Sequence, residues 1–411
     1  MRAGVAIVGG EILGAWTLVE ASRRAHPLSG PALLLDEAGS IGRVAAASGL
    51  ASEAFVHPSL AGLARHGIDV AAKFETTMGR KVHFGRPGAL VLGLTDPRRV
   101  AQQMADHRID GATVLDAARA GAVFRGIELD PGEEALWLET AAHLDSSTYL
   151  TQLLELARPL GAITRFRSKA QGLRLEDGRV TGLETNAGTV ETKRVIVTSM
   201  GALERILADP ELASNEACAS FLRKVQEETS TAGSANQRFI SPLVADDAGP
   251  GAGKQALVAD IFADPGRLES FFTPGEAPTY SHPALVDLAA GAQVTCAPAA
   301  GQLRVAGVSS MLPELRGGAL PEEPLAWIHT RLPFHGDTLK PESSPAELTF
   351  SGRTSGLPVA GPVPGVKGLF LALASAERAV ELAPSLGEGV AQLAFGEPLV
   401  AFDGASLGPS S

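Results

Sequence analysis

The chain has 411 residues, of which 45% are hydrophobic and 20% charged, and its formal net charge is −11 at pH 7. This length is too great for one compact core and predicts two domains. The negative charge argues against nucleic acid and anionic lipid as partners, since both need a face rich in lysine and arginine. No stretch has about 18 uninterrupted apolar residues, so no membrane span is predicted. Cys218 and Cys296 lie far apart in the sequence, which predicts no disulfide framework and favours a reducing, cytoplasmic location.

The N-terminal segment has the pattern of a strand, a glycine turn, a helix and a second strand. Residues 5–8 form a short apolar run that is typical of a buried parallel strand. An apolar stripe with helical spacing then continues to Ala25 and is followed by turn residues. Residues 33–35 form the next apolar run and lead into Asp36 and Glu37. Because such crossovers are right-handed, we expect the two strands to be neighbours in a parallel sheet.

The later part of the chain continues this alternation of strands and helices. Asp145 is placed to cap a helix that begins at Ser146. Tight reversals are predicted at Gly178 and Gly188, because glycine adopts positive φ at little cost. Helices are predicted over residues 58–77, from 146 and over 379–395, and strands over 88–94, over 136–139, in short pieces between 170 and 197, and over 369–373.

These elements predict two interleaved domains. The segments that suit a nucleotide-binding sheet are separated in the sequence by pieces with a different pattern. The expected fold is therefore α/β, with a doubly wound, Rossmann-like domain that carries an inserted mixed-sheet α+β domain. The first domain is assigned residues 1–75, 145–210 and 346–411, and the second domain residues 76–144 and 211–345.

The turn after the first strand carries most of a dinucleotide-binding fingerprint. In the pattern GxGxxG, one glycine makes the turn, one lets the pyrophosphate approach the backbone, and one packs the helix on the strand. Gly9 and Gly14 have the turn and packing positions, and Asp36 has the place of the acid that holds the ribose. Gly10 follows the turn glycine, and Glu11 stands where the middle glycine is expected. The whole constellation predicts a nucleotide-binding fold.

Segments that span nearly the whole chain resemble the FAD-dependent amino-acid and amine oxidases of the glycine oxidase, D-amino-acid oxidase and sarcosine oxidase type. They are VAIVGGEILGAW, ALLLDEAGS, HLDSSTYLTQLLELARPLGA, GLRLEDGRVTGLETNAGTVETKRVIVTSMGA, GLPVAGPVPGVKGLFLALA and LAPSLGEGVAQL. The resemblance implies FAD as the cofactor and oxidation of a C–N bond in an amino acid or secondary amine, with hydride passing to flavin N5. It also implies that the first domain binds FAD and that the second binds the substrate. It implies a cofactor site formed by Gly9, Gly10, Glu11, Gly14, Asp36, Glu37, Arg43, Ser48, Gly201, Ser375, Ala376 and Glu377.

The sequence departs from this family where the flavin is expected. The family's turn after the C-terminal strand has roughly the form GHGGHG and lies against the flavin ring at a helix N-terminus. This chain has Ala-Ser-Ala-Glu-Arg-Ala at residues 374–379 instead. The loop at residues 43–48 offers few polar groups to hold phosphates. Met200 falls where a small residue is usual, although a shift by one position places Gly201 there.

Two of the departures introduce carboxylates at helix N-termini. Glu11 and Glu377 are each expected to cap the following helix and to take the place of the ligand's negative charge. This predicts a degenerate flavin site. The competing interpretation is that both glutamates face solvent and that FAD still binds.

Arg353 is the candidate for binding the substrate. The family has an arginine near this point that pairs with a substrate carboxylate, and a guanidinium can make two parallel charge-assisted hydrogen bonds to such a group. A surface or inter-domain ion pair is an equally good interpretation of Arg353. No catalytic base is identified, and the nine histidines lack metal-ligand spacing.

Two other classes of function stay open. A flavin-free descendant would act as a structural subunit of a partner oxidoreductase, or would catalyse non-redox chemistry in the old cavity; Glu11 and residues 374–379 favour it. An NAD-dependent dehydrogenase is disfavoured, because the C-terminal segment resembles the flavin family. For an active enzyme, the expected partner is a small amine or amino acid.

Overall fold

The computed structural model describes residues 1–37, 49–124, 127–207, 212, 214–225, 255–262, 283–290, 292–296, 302–307, 327, 330–331, 340–341, 346–349, 357–374 and 378–399. The strands are β1 Val5–Val8, β2 Ala32–Asp36, β3 Leu50–Ala51, β4 Ala89–Leu92, β5 Ala112–Leu115, β6 Ala135–Leu138, β7 Ala142–His143, β8 Ile163–Phe166, β9 Ala170–Glu176, β10 Arg179–Thr185, β11 Gly188–Glu191, β12 Val195–Val197, β13 Gln255–Phe262, β14 Ala284–Asp287, β15 Ala292–Cys296, β16 Gln302–Gly307, β17 Lys340–Pro341, β18 Ala346–Thr349, β19 Val359–Pro362 and β20 Leu369–Leu373.

The α-helices are α1 Ile12–Arg24, α2 Ala61–Thr76, α3 Pro97–Asp106, α4 Ala117–Val123, α5 Ser146–Ala157, α6 Met200–Leu207 and α7 Ala379–Phe395. Residues 216–225 are also helical. Short 3₁₀ helices occupy Pro27–Ser29, Glu53–Phe55, Pro58–Leu60 and Arg158–Leu160. The contacts divide the chain into two units, one with Met1–Val44, Ser147–Ala235 and Phe350–Ser411, the other with Ala45–Ser146 and Asn236–Thr349.

The first unit is built on a six-stranded sheet with the order β19-β20-β12-β1-β2-β8. Every neighbouring pair in it is parallel except β19 with β20, which is antiparallel. Strands β1 and β12 are buried along their whole length. This agrees with their continuous apolar sequences, since helices and loops cover both faces of such a sheet. The predicted α/β class and the parallel pairing of the first two strands are confirmed.

The first unit also contains the antiparallel sheet β11-β10-β9. Its two hairpins reverse at the predicted positions, where Gly178 has φ +70° and Gly188 has φ +102°. Helix α7 begins after β20 and covers the predicted residues 379–395. Arg194 donates a hydrogen bond from Nε to the carbonyl of Ala394 at 2.7 Å, which satisfies a C-terminal carbonyl of this helix.

The second unit is built on a nine-stranded sheet with the order β17-β13-β16-β15-β14-β4-β6-β5, in which β18 also pairs with β13. Only β4 and β14 are parallel among its described pairs. At the end of β14, the buried Asp287 accepts hydrogen bonds from Trp327 Nε1 at 3.0 Å and Arg331 Nε at 2.9 Å. These contacts attach residues 327 and 331 to the sheet.

The division into units can be compared with the domains expected from the sequence. Both divide the chain into two interleaved parts. By contacts, residues 45–75 belong to the second unit, whereas the sequence assignment placed them in the first domain. Conversely, residues 211–235 belong to the first unit, although the sequence assignment placed them in the second domain. The assignment of the two parts as cofactor and substrate domains remains a proposal.

Candidate functional site

The turn between β1 and α1 has a backbone shape that depends on glycine. Gly9 has φ +127°, in the region that side-chain-bearing residues rarely adopt. A Cβ added to Gly9 would lie 2.5 Å from Thr198 Oγ1. The turn therefore passes directly over the end of β12, and no larger residue fits there.

Two further glycines keep the turn tight. A Cβ on Gly14 would lie 1.8 Å from the carbonyl oxygen of Gly9, so Gly14 allows α1 to start close to β1. A Cβ on Gly10 would lie 2.6 Å from the Cβ of Asp36. The structure thus brings together Gly9, Gly10 and Gly14 with the acid at the end of β2, as the fingerprint requires.

Thr198 holds this turn against the sheet. Its hydroxyl lies 3.1 Å from the carbonyl oxygens of both Val8 and Gly9, and its backbone N–H donates to Val8 at 2.9 Å. Sequence reasoning missed this residue and considered Met200 and Gly201 instead. The available signal was a polar residue directly after a buried apolar strand.

Glu11 is the N-cap residue of α1, but its side chain makes no capping hydrogen bond. The expectation that its carboxylate caps its own helix is therefore wrong. Short side chains are preferred at an N-cap, and a glutamate carboxylate is one methylene further from the backbone than that of aspartate. The N-terminus of α1 keeps its partial positive charge without a side-chain cap.

Asp36, the last residue of β2, and Glu37, the residue after it, have different surroundings. Asp36 lies beside Gly10, whereas Glu37 forms ion pairs with Lys169 Nζ at 3.1 Å and Arg205 Nη2 at 2.6 Å. The structure therefore places Asp36 beside the glycine turn, whereas Glu37 is held by two cationic side chains.

Gly201 is the second residue of α6. Among the described residues, a Cβ there would meet only Arg205 Nη1, at an ordinary 3.7 Å. Unlike Gly9 and Gly14, this glycine is not required by the described part of the chain.

Helix α1 is anchored by an aromatic pair. Trp16 Nε1 donates a hydrogen bond to Tyr149 Oη at 3.1 Å, and the ring centroids are 6.4 Å apart at 63°. Both side chains are buried. Burial raises the pKa of the Tyr149 hydroxyl, although the hydrogen bond from Trp16 opposes the shift. Tyr149 is consequently a neutral structural group at physiological pH.

Helix α7 begins with a buried ion pair that sequence reasoning also missed. Arg378 is the N-cap residue, and its Nη1 lies 3.0 Å from Glu381 Oε1. The side chains are 1% and 0% exposed. The spacing of three residues on a helix was the available signal. Six other candidates lie outside the described residues, namely Arg43, Ser48, Arg353, Ser375, Ala376 and Glu377.

A scan against family models matches the FAD dependent oxidoreductase family, DAO, over residues 4–393. The chain belongs to this family. The flavoenzyme resemblance seen in the sequence is thereby confirmed. A search of curated proteins finds no match.

Solved structures of similar fold cover nearly the whole of this oxidoreductase-family chain. Glycine oxidase from Geobacillus kaustophilus is 17% identical with a TM-score of 0.68, and the match covers 100% of this chain and 98% of that one. Iminodiacetate oxidase from Chelativorans sp. BNC1 is 18% identical with a TM-score of 0.68 and 98% coverage of both chains. L-proline dehydrogenase from P. horikoshii is 14% identical with a TM-score of 0.65, covering 95% and 93%. At these identities the likeness establishes the fold.

The described residues give no sign of a membrane span or a metal site. Within them, no helix combines the length and apolar character needed to cross a membrane. The same part of the chain contains no group of three or more histidine, cysteine and acidic side chains arranged to hold a metal ion.

Proposed function

We propose that this family member binds FAD at the β1–α1 turn and oxidises the C–N bond of a small amino acid or secondary amine. The observation that carries the proposal is the turn itself. Gly9 and Gly14 retain the conformation and close approach of a dinucleotide-binding turn, and Asp36 lies beside it. This is the combination that a dinucleotide uses when its pyrophosphate approaches such a turn.

The residues present suit the negative charge and shape of a dinucleotide. The N-terminus of α1 offers backbone N–H groups and a partial positive charge to a pyrophosphate, and Glu11 does not cap it. Asp36 can accept hydrogen bonds from ribose hydroxyls. Of the described residues, only Arg205 lies near a Cβ built on Gly201, which is compatible with a ligand close to the backbone.

Glu11 is expected to weaken binding without abolishing it. Its carboxylate is partly exposed to solvent, where water and salt screen repulsion from a phosphate. The backbone contacts that a pyrophosphate makes do not depend on this side chain. Because salt screens this repulsion, the affinity of the wild-type protein for FAD should rise with ionic strength. Once Glu11 is removed, the affinity should rise less steeply or should fall.

The substrate class follows from the similar structures and from Arg353. The relatives' names specify glycine, iminodiacetate and L-proline, each of which carries a carboxylate next to an amine carbon. When bound, FAD supplies the electron acceptor for such an oxidation. Arg353 is proposed to hold the substrate carboxylate through a bidentate pair, which orients the C–N bond.

The test is the visible spectrum of the purified protein before and after addition of FAD, followed by titration. We expect a bound-flavin spectrum and hydrogen peroxide release or dye reduction with short amino acids. Glu11→Gly should tighten FAD binding several-fold, and more when combined with Ala376→Gly and Glu377→Gly. Gly10→Ala should weaken it at least about tenfold, since a Cβ there displaces Asp36.

The proposal is contradicted if the wild-type protein binds no FAD and the variant that combines Glu11→Gly, Ala376→Gly and Glu377→Gly binds none either. That outcome would favour a flavin-free protein. Stable co-purification with a second protein would then point to a partner oxidoreductase subunit, the other function considered from the sequence. Binding of FAD without turnover of any amine would reject only the substrate class.

A further inference from the structure

The carboxylate of Glu37 is shared by two cationic side chains that come from two other elements of the first unit. Its Oε1 lies 3.1 Å from Lys169 Nζ, and its Oε2 lies 2.6 Å from Arg205 Nη2. Lys169 lies in the loop between β8 and β9, and Arg205 belongs to α6. These three residues form the Glu37 cluster, in which one carboxylate faces two cations.

The Glu37 cluster lies beside the acid that is proposed to bind the ribose. Asp36 directly precedes Glu37, and consecutive Cα atoms are about 3.8 Å apart. The carbonyl oxygen of Asp36 accepts a hydrogen bond from the backbone N–H of Ser168 at 2.9 Å, which places Lys169 next to the same end of β2. A ribose at Asp36 is therefore one residue away from the cluster.

Both cations are also held by contacts that do not involve Glu37. Arg205 Nε donates a hydrogen bond to the carbonyl oxygen of Ala170 at 3.2 Å. The backbone N–H of Lys169 donates to Asn186 Oδ1 at 2.9 Å. Removal of the Glu37 carboxylate would therefore leave both cations close to the end of β2.

An arginine and a lysine that converge on one carboxylate are also the groups that bind a phosphate. In dinucleotide-binding folds, the acid after the second strand binds a free ribose 2′-hydroxyl, whereas a nearby arginine accommodates a 2′-phosphate. This chain has both the acid, Asp36, and the arginine, Arg205. The arginine is engaged by Glu37, so the donors that a phosphate would need are already taken.

We propose that Glu37 is a specificity-determining residue, which makes the site select adenine nucleotides whose ribose carries no 2′-phosphate. This inference rests on the proposed binding of FAD, whose ribose has a free 2′-hydroxyl. A 2′-phosphate would lose the hydrogen bond that the hydroxyl donates to Asp36. It would also add negative charge beside two carboxylates, while Glu37 keeps Lys169 and Arg205 from binding it.

The test uses two nucleotides that differ only in the phosphate concerned, adenosine 5′-monophosphate (AMP) and adenosine 2′,5′-bisphosphate. Each competes with FAD in a fluorescence titration of the purified protein. We expect the wild type to bind AMP more tightly than the bisphosphate. Glu37→Gln should shift the ratio of the two affinities about tenfold towards the bisphosphate, because it removes a negative charge and leaves two cations near the added phosphate.

Further substitutions separate the freed cations from a general change of charge. In the Glu37→Gln background, Lys169→Met or Arg205→Met should remove most of the shift. Glu184→Gln is the matched control, because Glu184 is also a partly exposed partner of an arginine, Arg174, in the first unit. It changes the net charge of the chain equally and should leave the ratio unchanged.

A merely structural role of Glu37 predicts a different result. Loss of a structural ion pair would lower the stability in urea unfolding and would weaken the binding of both nucleotides together, with an unchanged ratio. That result would overturn the inference, while FAD binding by the wild type would leave the proposed function intact. A wild type that binds no FAD would overturn both.

Glu37 is 42% exposed, so its substitution is expected to leave the fold intact. If Glu37→Gln does not fold, Glu37→Ala removes the same charge and should shift the ratio in the same direction. Glu37→Asp keeps the charge beside both cations, so its ratio should stay near that of the wild type. A shift in Glu37→Asp as large as in Glu37→Gln would contradict the proposal.

Discussion

Replacing Tyr149 with phenylalanine removes one buried hydroxyl and keeps the ring. The hydroxyl accepts the hydrogen bond from Trp16 Nε1 at 3.1 Å, and Tyr149 is 0% exposed while Trp16 is 3% exposed. The edge contact of the two rings, at 63°, is retained in the variant. The change therefore removes the hydrogen bond that joins α5 to the helix carrying the glycine turn.

The expected cost follows from the burial of both partners. A typical hydrogen bond contributes about 0.5–1.5 kcal/mol net, but a buried donor that loses its acceptor costs about 1–3 kcal/mol. We expect Tyr149→Phe to lower the free energy of unfolding by about 1–3 kcal/mol at pH 7. A domain of this size should then lose about 2–12 °C in melting temperature.

A second effect appears at alkaline pH. Burial raises the pKa of Tyr149, so the folded protein keeps this side chain neutral after the unfolded chain has begun to ionise. The stability is complete below the unfolded tyrosine pKa of about 10 and is lost as pH rises above it, by at most about 1.4 kcal/mol per pH unit. The phenylalanine variant should lack this part of the alkaline slope.

The assay is urea denaturation followed by circular dichroism, at pH 7 and at several values between pH 9.5 and 11. The chain has two tyrosines, so Tyr280→Phe is the matched control. It removes the same chemical group elsewhere. A Tyr149→Phe variant with unchanged stability at pH 7 and an unchanged alkaline slope would refute the reasoning. A drop at pH 7 alone would refute only the pKa argument.

Other substitutions test the glycine turn, the second unit and a partly buried histidine. Thr198→Val, which removes the hydroxyl beside Gly9, should weaken FAD binding about three- to tenfold in a fluorescence titration, whereas Thr198→Ser should not. Arg331→Met leaves the buried Asp287 without its cation and should cost about 3–5 kcal/mol in urea unfolding, with a smaller loss for lysine. Burial lowers the pKa of His57, so stability should fall as pH falls below about 6.5. His57→Gln should flatten that slope, and an unchanged slope would contradict it.

Much of the fold could be predicted because its signals are local. A run of four apolar residues before Gly9 is sufficient to indicate a buried parallel strand, and β1 covers that run. The reversals at Gly178 and Gly188 and the bounds of α7 likewise depend on a few adjacent residues. The spacing of apolar residues and the positions of glycines are properties of the nearby sequence, so these predictions needed no tertiary information.

The functional candidates were predicted less completely. The fingerprint identified Gly9, Gly14 and Asp36, which the structure brings together. It did not identify Thr198, which reaches the turn from a strand far along the chain. It also gave Glu11 a capping role that the side chain does not have. Motif spacing specifies which residue types occur, but not which way their side chains point.

Sequence alone determined the class of this protein, because the strands, turns and glycines of a dinucleotide-binding unit are each specified by residues close together in the chain. Tertiary structure alone decided which distant side chains meet. The order of parallel strands brings Thr198 to Gly9, and helix packing brings Tyr149 to Trp16. The burial of the pair formed by Arg378 also came only from the fold. Such contacts depend on how strands are ordered and helices pack, and neither property is encoded in a local pattern.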